Sequence, residues 1–285
     1  MDLGLSAYSE SLSSLAARSV PVTVLILARD EVLNIDQCLG SVQWAEQSIV
    51  IDSGSSDGTQ DVARRRGSEV VETHWRGYGA QREFALRLTQ IRHDWVYFVD
   101  ADEWVSVELA GEIARLVEEP GCNGYWQYMR LVFQGRWIRH CGWYRTGRLL
   151  RLMNRRFARY DDKAFSEHAI VAGPVGKLDH DIVDEDHKGL AQWLRKHVSY
   201  AELETERRLA EGATVESPVY YSRVQLFLKD RVARRLPGRA VFQFVYMYIL
   251  RRGFLDGRQG LLFCFLHAWF QVVIEGLKAE RRLSS

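Results

Sequence analysis

The first hundred residues alternate short apolar runs with polar loops of small residues. Residues 22–28 (VTVLILA) lie between Pro21 and the group Arg29-Asp30-Glu31. Residues 48–51 (SIVI) stop at Asp52-Ser53-Gly54-Ser55-Ser56-Asp57-Gly58-Thr59, Val70 and Val71 form a shorter pair, and residues 95–99 (WVYFV) end at Asp100. Unbroken apolar runs of this length, rich in β-branched and aromatic residues, predict strands buried on both faces. Between them, Asn34 is placed to cap a short helix through residue 42, and Asp57 to cap another over residues 59–66. A third helix is expected over residues 79–90, with Phe84, Leu86 and Leu88 apolar and Arg82 and Arg87 polar. Strands alternating with helices predict an α/β fold built on a doubly wound, mostly parallel sheet.

The chemistry gathers where the apolar runs stop. The run ending at Val99 is followed by Asp100, Asp102 and Glu103. In open α/β sheets the carboxyl ends of the strands face the ligand crevice. Two aspartates one residue apart at such an end can hold a hard divalent cation, Mg²⁺ or Mn²⁺, and leave positions for diphosphate oxygens. An isolated D-x-D also fits a solvated acidic turn that caps the next helix. The loop after residue 51 is dense in residues that allow tight turns and close backbone approach, and Asp52 would face the same crevice as Asp100. No G-x-G-x-x-G follows the first strand and no G-x-x-x-x-G-K-[ST] occurs, which argues against a dinucleotide-binding oxidoreductase and a P-loop NTPase.

Composition narrows the class further. In 285 residues, 38 Lys and Arg balance 37 Asp and Glu, so no global charge draws the chain to nucleic acid. Cys38, Cys122, Cys141 and Cys264 form no C-x-x-C pair and read as reduced thiols of a cytoplasmic protein. Residues 1–20 lack a basic start and an apolar core, and are read as an N-terminal extension rather than a secretory signal.

Taken together, VTVLILARDE, SIVIDSGSSDGT, GAQREFAL and WVYFVDADEW resemble the nucleotide-sugar half of family 2 glycosyltransferases, with a GT-A fold. The later segments resemble the bacterial branch of lipopolysaccharide-core glucosyltransferases. That resemblance implies a UDP-sugar donor, with Asp52 accepting a hydrogen bond from the uracil ring. It implies that Ala28, Arg29 and Glu31 line the nucleotide pocket and that Arg82 lies close to the nucleotide or its diphosphate. Asp102 would be the direct metal ligand, with Asp100 nearer the ribose or a metal-bound water. One departure is that many members read D-D-G-S where this chain has Asp52-Ser53-Gly54-Ser55.

Inverting transfer also needs a base for the acceptor hydroxyl. The branch commonly reads V-H-E where this chain has Phe165-Ser166-Glu167, which makes Glu167 the candidate; a structural ion pair with Arg148 or Arg151 is the alternative. His168 and His187 are further candidates for the metal or the acceptor. Trp143 and Tyr144 offer rings to a sugar face or to the core.

From Lys188 the pattern turns helical, with Leu190, Trp193, Leu194, His197, Val198 and Ala201 on one face. A linker is expected over residues 212–218. Residues 223–258 carry nine Lys or Arg against Asp230 and Asp256, a local net charge of +7. The run of about fourteen apolar residues from Leu261 is shorter than the roughly twenty a spanning helix needs. This region is expected either to lie on the anionic inner face of the cytoplasmic membrane, meeting a lipid-linked saccharide acceptor there, or to complete a soluble core or dimer interface. The expected domains are thus 21–187, nucleotide-sugar and catalytic, and 188–285, helical and basic. Non-catalytic binding of a nucleotide sugar, or transfer to a peptide, are the other functions that fit.

Overall fold

The computed structural model describes residues 19–145, 147–160, 169–210 and 238–283. Residues 1–18 of the expected extension, the linker, Glu167 and His168 lie outside them. Two compact units are present: one comprises the chain up to Met129 together with Arg148–His187, the other Arg130–Gly147 together with the chain from Lys188 on.

The first unit is built on β1 (Val20–Ala28), α1 (Ile35–Ser41), β2 (Ala45–Asp52), α2 (Thr59–Arg65), β3 (Glu69–Glu72), α3 (Tyr78–Leu86) and β4 (Trp95–Asp100). There follow β5 (Glu103–Trp104), α4 (Val107–Glu118) and β6 (Gly124–Gln127), then β9 (Leu149–Asn154), β10 (Ala158–Tyr160), β11 (Ala169–Val171), β12 (Val175–Lys177) and β13 (Ile182–Asp184); β7 (Met129–Phe133) and β8 (Arg136–Trp137) fall between β6 and β9. The main sheet has the order β12-β6-β9-β4-β1-β2-β3. β4, β1, β2 and β3 are parallel, and β9 runs antiparallel between β4 and β6. Alternation along β1 explains the double layer. Val22, Val24 and Ile26 pack with Ile35 of α1, Ala63 of α2 and Leu109 and Ile113 of α4. Leu25, on the opposite face, packs with Ala85 and Leu86 of α3 and Phe98 of β4. Both faces of the central strands are therefore covered, which is why their sequences are unbroken apolar runs.

Two local expectations are corrected. Asn34 stands at the N-cap position of α1 but its side chain caps nothing there; it bonds Glu31 and Asp186 instead. Helix α3 ends at Leu86 rather than at residue 90. Arg82, the polar position expected in this helix, is buried, because its guanidinium has a carboxylate to meet.

The second unit contains the antiparallel hairpin β7–β8, α5 (Gly189–Ala210), α6 (Arg239–Val245), a π-helical turn (Tyr246–Leu250), a 3₁₀ turn (Gly253–Asp256) and α7 (Gly257–Leu283). Its core gathers Phe133, Ile138, Cys141, Met247, Phe263, Cys264 and Leu266. Trp143 packs here, its ring 5.8 Å from Phe263 and 4.9 Å from His267. The short apolar run is part of a much longer helix. Gly253–Arg281 is long and apolar enough to cross a membrane by length and composition, with 33% of its most apolar window buried in the protein. All four cysteines are free thiols.

Candidate functional site

Parallel register places the ends of β1, β2 and β4 side by side: Ala28 pairs with Asp52, and Leu27 with Asp100. The loops leaving these strands therefore open at one edge, and they are locked to each other by side chains. Asp52 is fully buried. Its Oδ1 accepts from the backbone N–H of Gly54 (3.1 Å) and Ser55 (2.9 Å) and from Gln60 Nε2 (2.7 Å), while its Oδ2 accepts from the Ser55 hydroxyl. That hydroxyl accepts in turn from the Asp30 N–H at 2.8 Å. Asp30 Oδ1 accepts from the Ser56 N–H at 2.8 Å, and Thr59 Oγ1 from the Glu31 N–H at 2.8 Å. The N-cap position of α2 falls on Gly58 rather than on the expected Asp57; Asp57, one residue before it, accepts from the Thr59 N–H at 3.0 Å and also holds the Val32 N–H. Of the nucleotide-pocket candidates, Ala28 and Glu31 are buried in this lattice, and Arg29 is exposed beside it.

Asp100 is the centre of a second network. Arg82 Nη2, from α3, lies 3.0 and 3.2 Å from its two carboxylate oxygens. Arg151 Nη2, from β9, lies 2.8 Å from Asp100 Oδ2 and 2.9 Å from Glu103 Oε1. Glu103 Oε2 then accepts the backbone N–H of Asp100 at 2.8 Å. Burial alone would raise the Asp100 carboxyl, but the Arg151 and Arg82 guanidiniums hold it well below the usual carboxylate range. Burial pushes Glu103 up to about 8, against the pull of Arg151, with Asp100 and Asp102 adding to the rise.

Asp102 occupies the turn between β4 and β5, half-buried. Its backbone carbonyl accepts from the Glu185 N–H at 2.9 Å, which brings the end of β13 alongside. His187, two residues on, places Nε2 2.8 Å from Gln37 Oε1. The residues fit a small hard cation in a particular way. Among the described residues no cluster of three His, Cys, Asp or Glu side chains is arranged to enclose a metal, and both oxygens of Asp100 are engaged by arginines. A cation here would lean on Asp102 and take its remaining ligands from diphosphate oxygens and water, the usual situation for Mg²⁺.

The structure thus brings Ala28, Glu31, Asp52, Arg82, Asp100 and Asp102 to one edge of the sheet. Sequence reasoning named Arg151 only as an alternative ion-pair partner of Glu167, and missed its bonds to Asp100 and Glu103 and the bracing role of Glu103. The available signal was a single arginine flanked by Leu150 and Leu152 in a strand, a charge that a buried position tolerates only with a partner.

A parallel sheet with paired carboxylates at its carboxyl edge and an antiparallel strand beside them is the GT-A arrangement of nucleotide-diphosphosugar transferases. A sequence model described as Glycosyl transferase family 2 matches residues 23–172. That is more than half of the chain, and the chain belongs to this family. An uncharacterized glycosyltransferase of Rickettsia typhi is 26% identical over 258 residues, covering 85% of this chain and 80% of that one. One from Rickettsia bellii is 34% identical over 108 residues, 38% of this chain and 36% of that one. The lipopolysaccharide core biosynthesis glycosyltransferase LpsC of Rhizobium meliloti is 28% identical over 166 residues, 55% of this chain and 60% of that protein. Among solved structures, residues 1–349 of S. aureus TarS share 14% identity and a TM-score of 0.46, covering 92% of each chain.

Proposed function

We propose that this glycosyltransferase moves a hexose from a UDP-sugar to a hydroxyl of a saccharide of the cell envelope, with inversion and with a divalent cation, Mg²⁺ or Mn²⁺. The observation that carries the reading is the division of labour at the end of β4. Asp100 is fixed by two arginines, and Asp102 follows it in the turn that leaves β4 at the sheet edge where β1 also ends. Asp102 would hold the cation, whose charge stabilises the departing diphosphate. Asp100, pinned from two sides, would orient the turn and stand near the ribose.

Asp52 contributes differently from a side chain that is open to a ligand. Its carboxylate organises the loop whose backbone would lie against the uracil, together with Ala28, Arg29 and Glu31. Arg82 keeps a positive charge beside the position the diphosphate would take. Glu167, matched on sequence to the branch's catalytic carboxylate, is the proposed base that takes the acceptor proton. The kinship with LpsC favours a lipopolysaccharide core acceptor, lipid-linked and met at the inner face of the cytoplasmic membrane.

Titration calorimetry of UDP with and without Mn²⁺ on the wild type and on Asp102→Asn tests the donor site. Metal-dependent UDP binding that Asp102→Asn abolishes supports the assignment. UDP binding that ignores the metal and the mutation would overturn it. Glu167→Gln should leave UDP binding alone and lower turnover by about 10² to 10⁴.

A further inference from the structure

The second unit ends in a helical hairpin whose turn is apolar in an unusual place. The end of the π-helical turn exposes Ile249 and Leu250, the 3₁₀ turn Phe254 and Leu255, and the first turns of α7 add Leu261 and Phe265; Leu250 is 65% exposed and Phe265 60%. At helical spacing Leu261, Phe265 and Val272 fall on one stripe of α7, and all three are exposed. The opposite face, with Phe263, Cys264, Leu266 and Ile274, is buried within the unit. Six large apolar side chains grouped around one turn are more than the scattered exposure of an ordinary surface.

The charge around them has one sign. Arg252 and Arg258 flank the turn and are exposed. Arg251 lies over Gly142 at its base, and Arg136 donates to the Leu255 carbonyl at 3.1 Å. Asp256, the acidic residue of the turn, is turned inward: its oxygens accept from the His140 N–H and pair with His140 Nδ1, both at 2.8 Å, and its side chain is 3% exposed. The outer surface is therefore a cluster of apolar residues collared by arginines, with its carboxylate withdrawn.

The geometry points to this hairpin turn, with the exposed stripe of α7, as a surface that docks into the interface of a bilayer containing anionic phospholipid. Lipid supplies both halves of the match, acyl chains for the apolar cluster and phosphate for the collar, with arginine stems reaching up from the apolar layer. A second copy of this chain would instead set the same arginines against each other. The buried face of α7 keeps that helix attached to its own unit, so the helix lies along the interface and does not cross it. Docking of this kind stands apart from the transfer reaction and needs no assignment of donor or acceptor.

Flotation of the purified full chain with vesicles of phosphatidylcholine alone, and with about 40% phosphatidylglycerol, tests the inference. The expected result is at least roughly tenfold more bound protein on the anionic vesicles, lost at high salt. Arg252→Glu with Arg258→Glu should lower binding by roughly tenfold or more, and Phe254→Ser with Leu255→Ser should do the same, each with unchanged thermal melting to show the fold is kept. Equal binding to both vesicles, no binding, or a concentration-dependent dimer in light scattering that these substitutions abolish would overturn it. So would protein in native membranes that resists extraction at alkaline pH, the behaviour of a spanning helix.

Discussion

Arg151 reaches across from the antiparallel strand β9 to Asp100, Nη2 to Oδ2 at 2.8 Å, and holds Glu103 with the same nitrogen at 2.9 Å. The carboxylate turn is thus fastened to a strand that arrives about fifty residues later in the chain. Glu103 has a side chain only 2% exposed, so Arg151→Met would leave its buried Oε1 without that donor and Asp100 with Arg82 as its remaining guanidinium, and should destabilise the fold by about 1–3 kcal/mol. Combining it with Glu103→Gln should recover part of that loss, because the amide brings a donor of its own to the buried site beside Asp100. Urea unfolding of the two variants checks the pair; equal stabilities would show that Glu103 does not depend on Arg151.

The Ser55 hydroxyl links two loops, donating to Asp52 and accepting from the Asp30 N–H. Ser55→Ala leaves a fully buried carboxylate oxygen and a backbone donor each short of a partner, at a cost of about 1–3 kcal/mol. Because the same loops rim the proposed nucleotide pocket, UDP affinity should fall by roughly tenfold, which is about 1.4 kcal/mol. Parallel urea unfolding and UDP titration separate the two effects.

The parallel core was readable from sequence because strands covered on both faces carry few polar positions to disguise them, and the buried Thr23 of β1 is met by Gln47 of β2. Val22, Val24 and Ile26 face one layer, Leu25 the other, and all are apolar. The paired aspartates were readable because they break such a run. Arg151 was not, since its meaning depends on β9 entering the sheet antiparallel beside β4, a pairing between residues far apart in sequence. Asp52 was found but its bonding was not: whether its carboxylate faces a ligand or its own loop turns on the φ of Gly54 and the placement of Gln60. Helical periodicity marks Arg82 as a polar position of α3 without saying that the position is buried against a carboxylate.

His267 should make the second unit acid-sensitive. Burial among Phe263, Trp143 and Trp193 pushes its pKa down to about 3 from 6.5, with His197 adding to the fall. The folded ring therefore stays neutral where the unfolded one takes up a proton. Its contribution is intact above about pH 6.5 and is lost as pH falls toward 3, at up to about 1.4 kcal/mol per pH unit. His267→Phe should flatten the stability profile between pH 6.5 and 4, seen as a smaller shift of the urea midpoint between about pH 7 and pH 5 than in the wild type.

Two glycines of α7 should respond to alanine with opposite signs. A Cβ on Gly260 would collide with the Gly253 carbonyl oxygen and come within 2.7 Å of Asp256 Cβ. Gly253 cannot retreat, because a Cβ built on it would itself meet the Cys141 and Cys264 sulfurs at 2.8 and 2.9 Å, which shows how tightly the 3₁₀ turn is seated. Backbone on backbone leaves no flexible side chain to yield, so Gly260→Ala should cost about 3 kcal/mol, the upper end for overpacking, and lower Tm by roughly 6 °C or more. Gly276, in the same helix and exposed, has no atom within 4 Å of its would-be Cβ. There alanine only restrains the unfolded chain and improves helix propensity, so Gly276→Ala should stabilise by about 0.5–1 kcal/mol. Thermal melts of the two variants should fall on either side of the wild type. A Gly260→Ala protein melting with the wild type would mean that the turn is not packed against α7 as closely as its backbone contacts require.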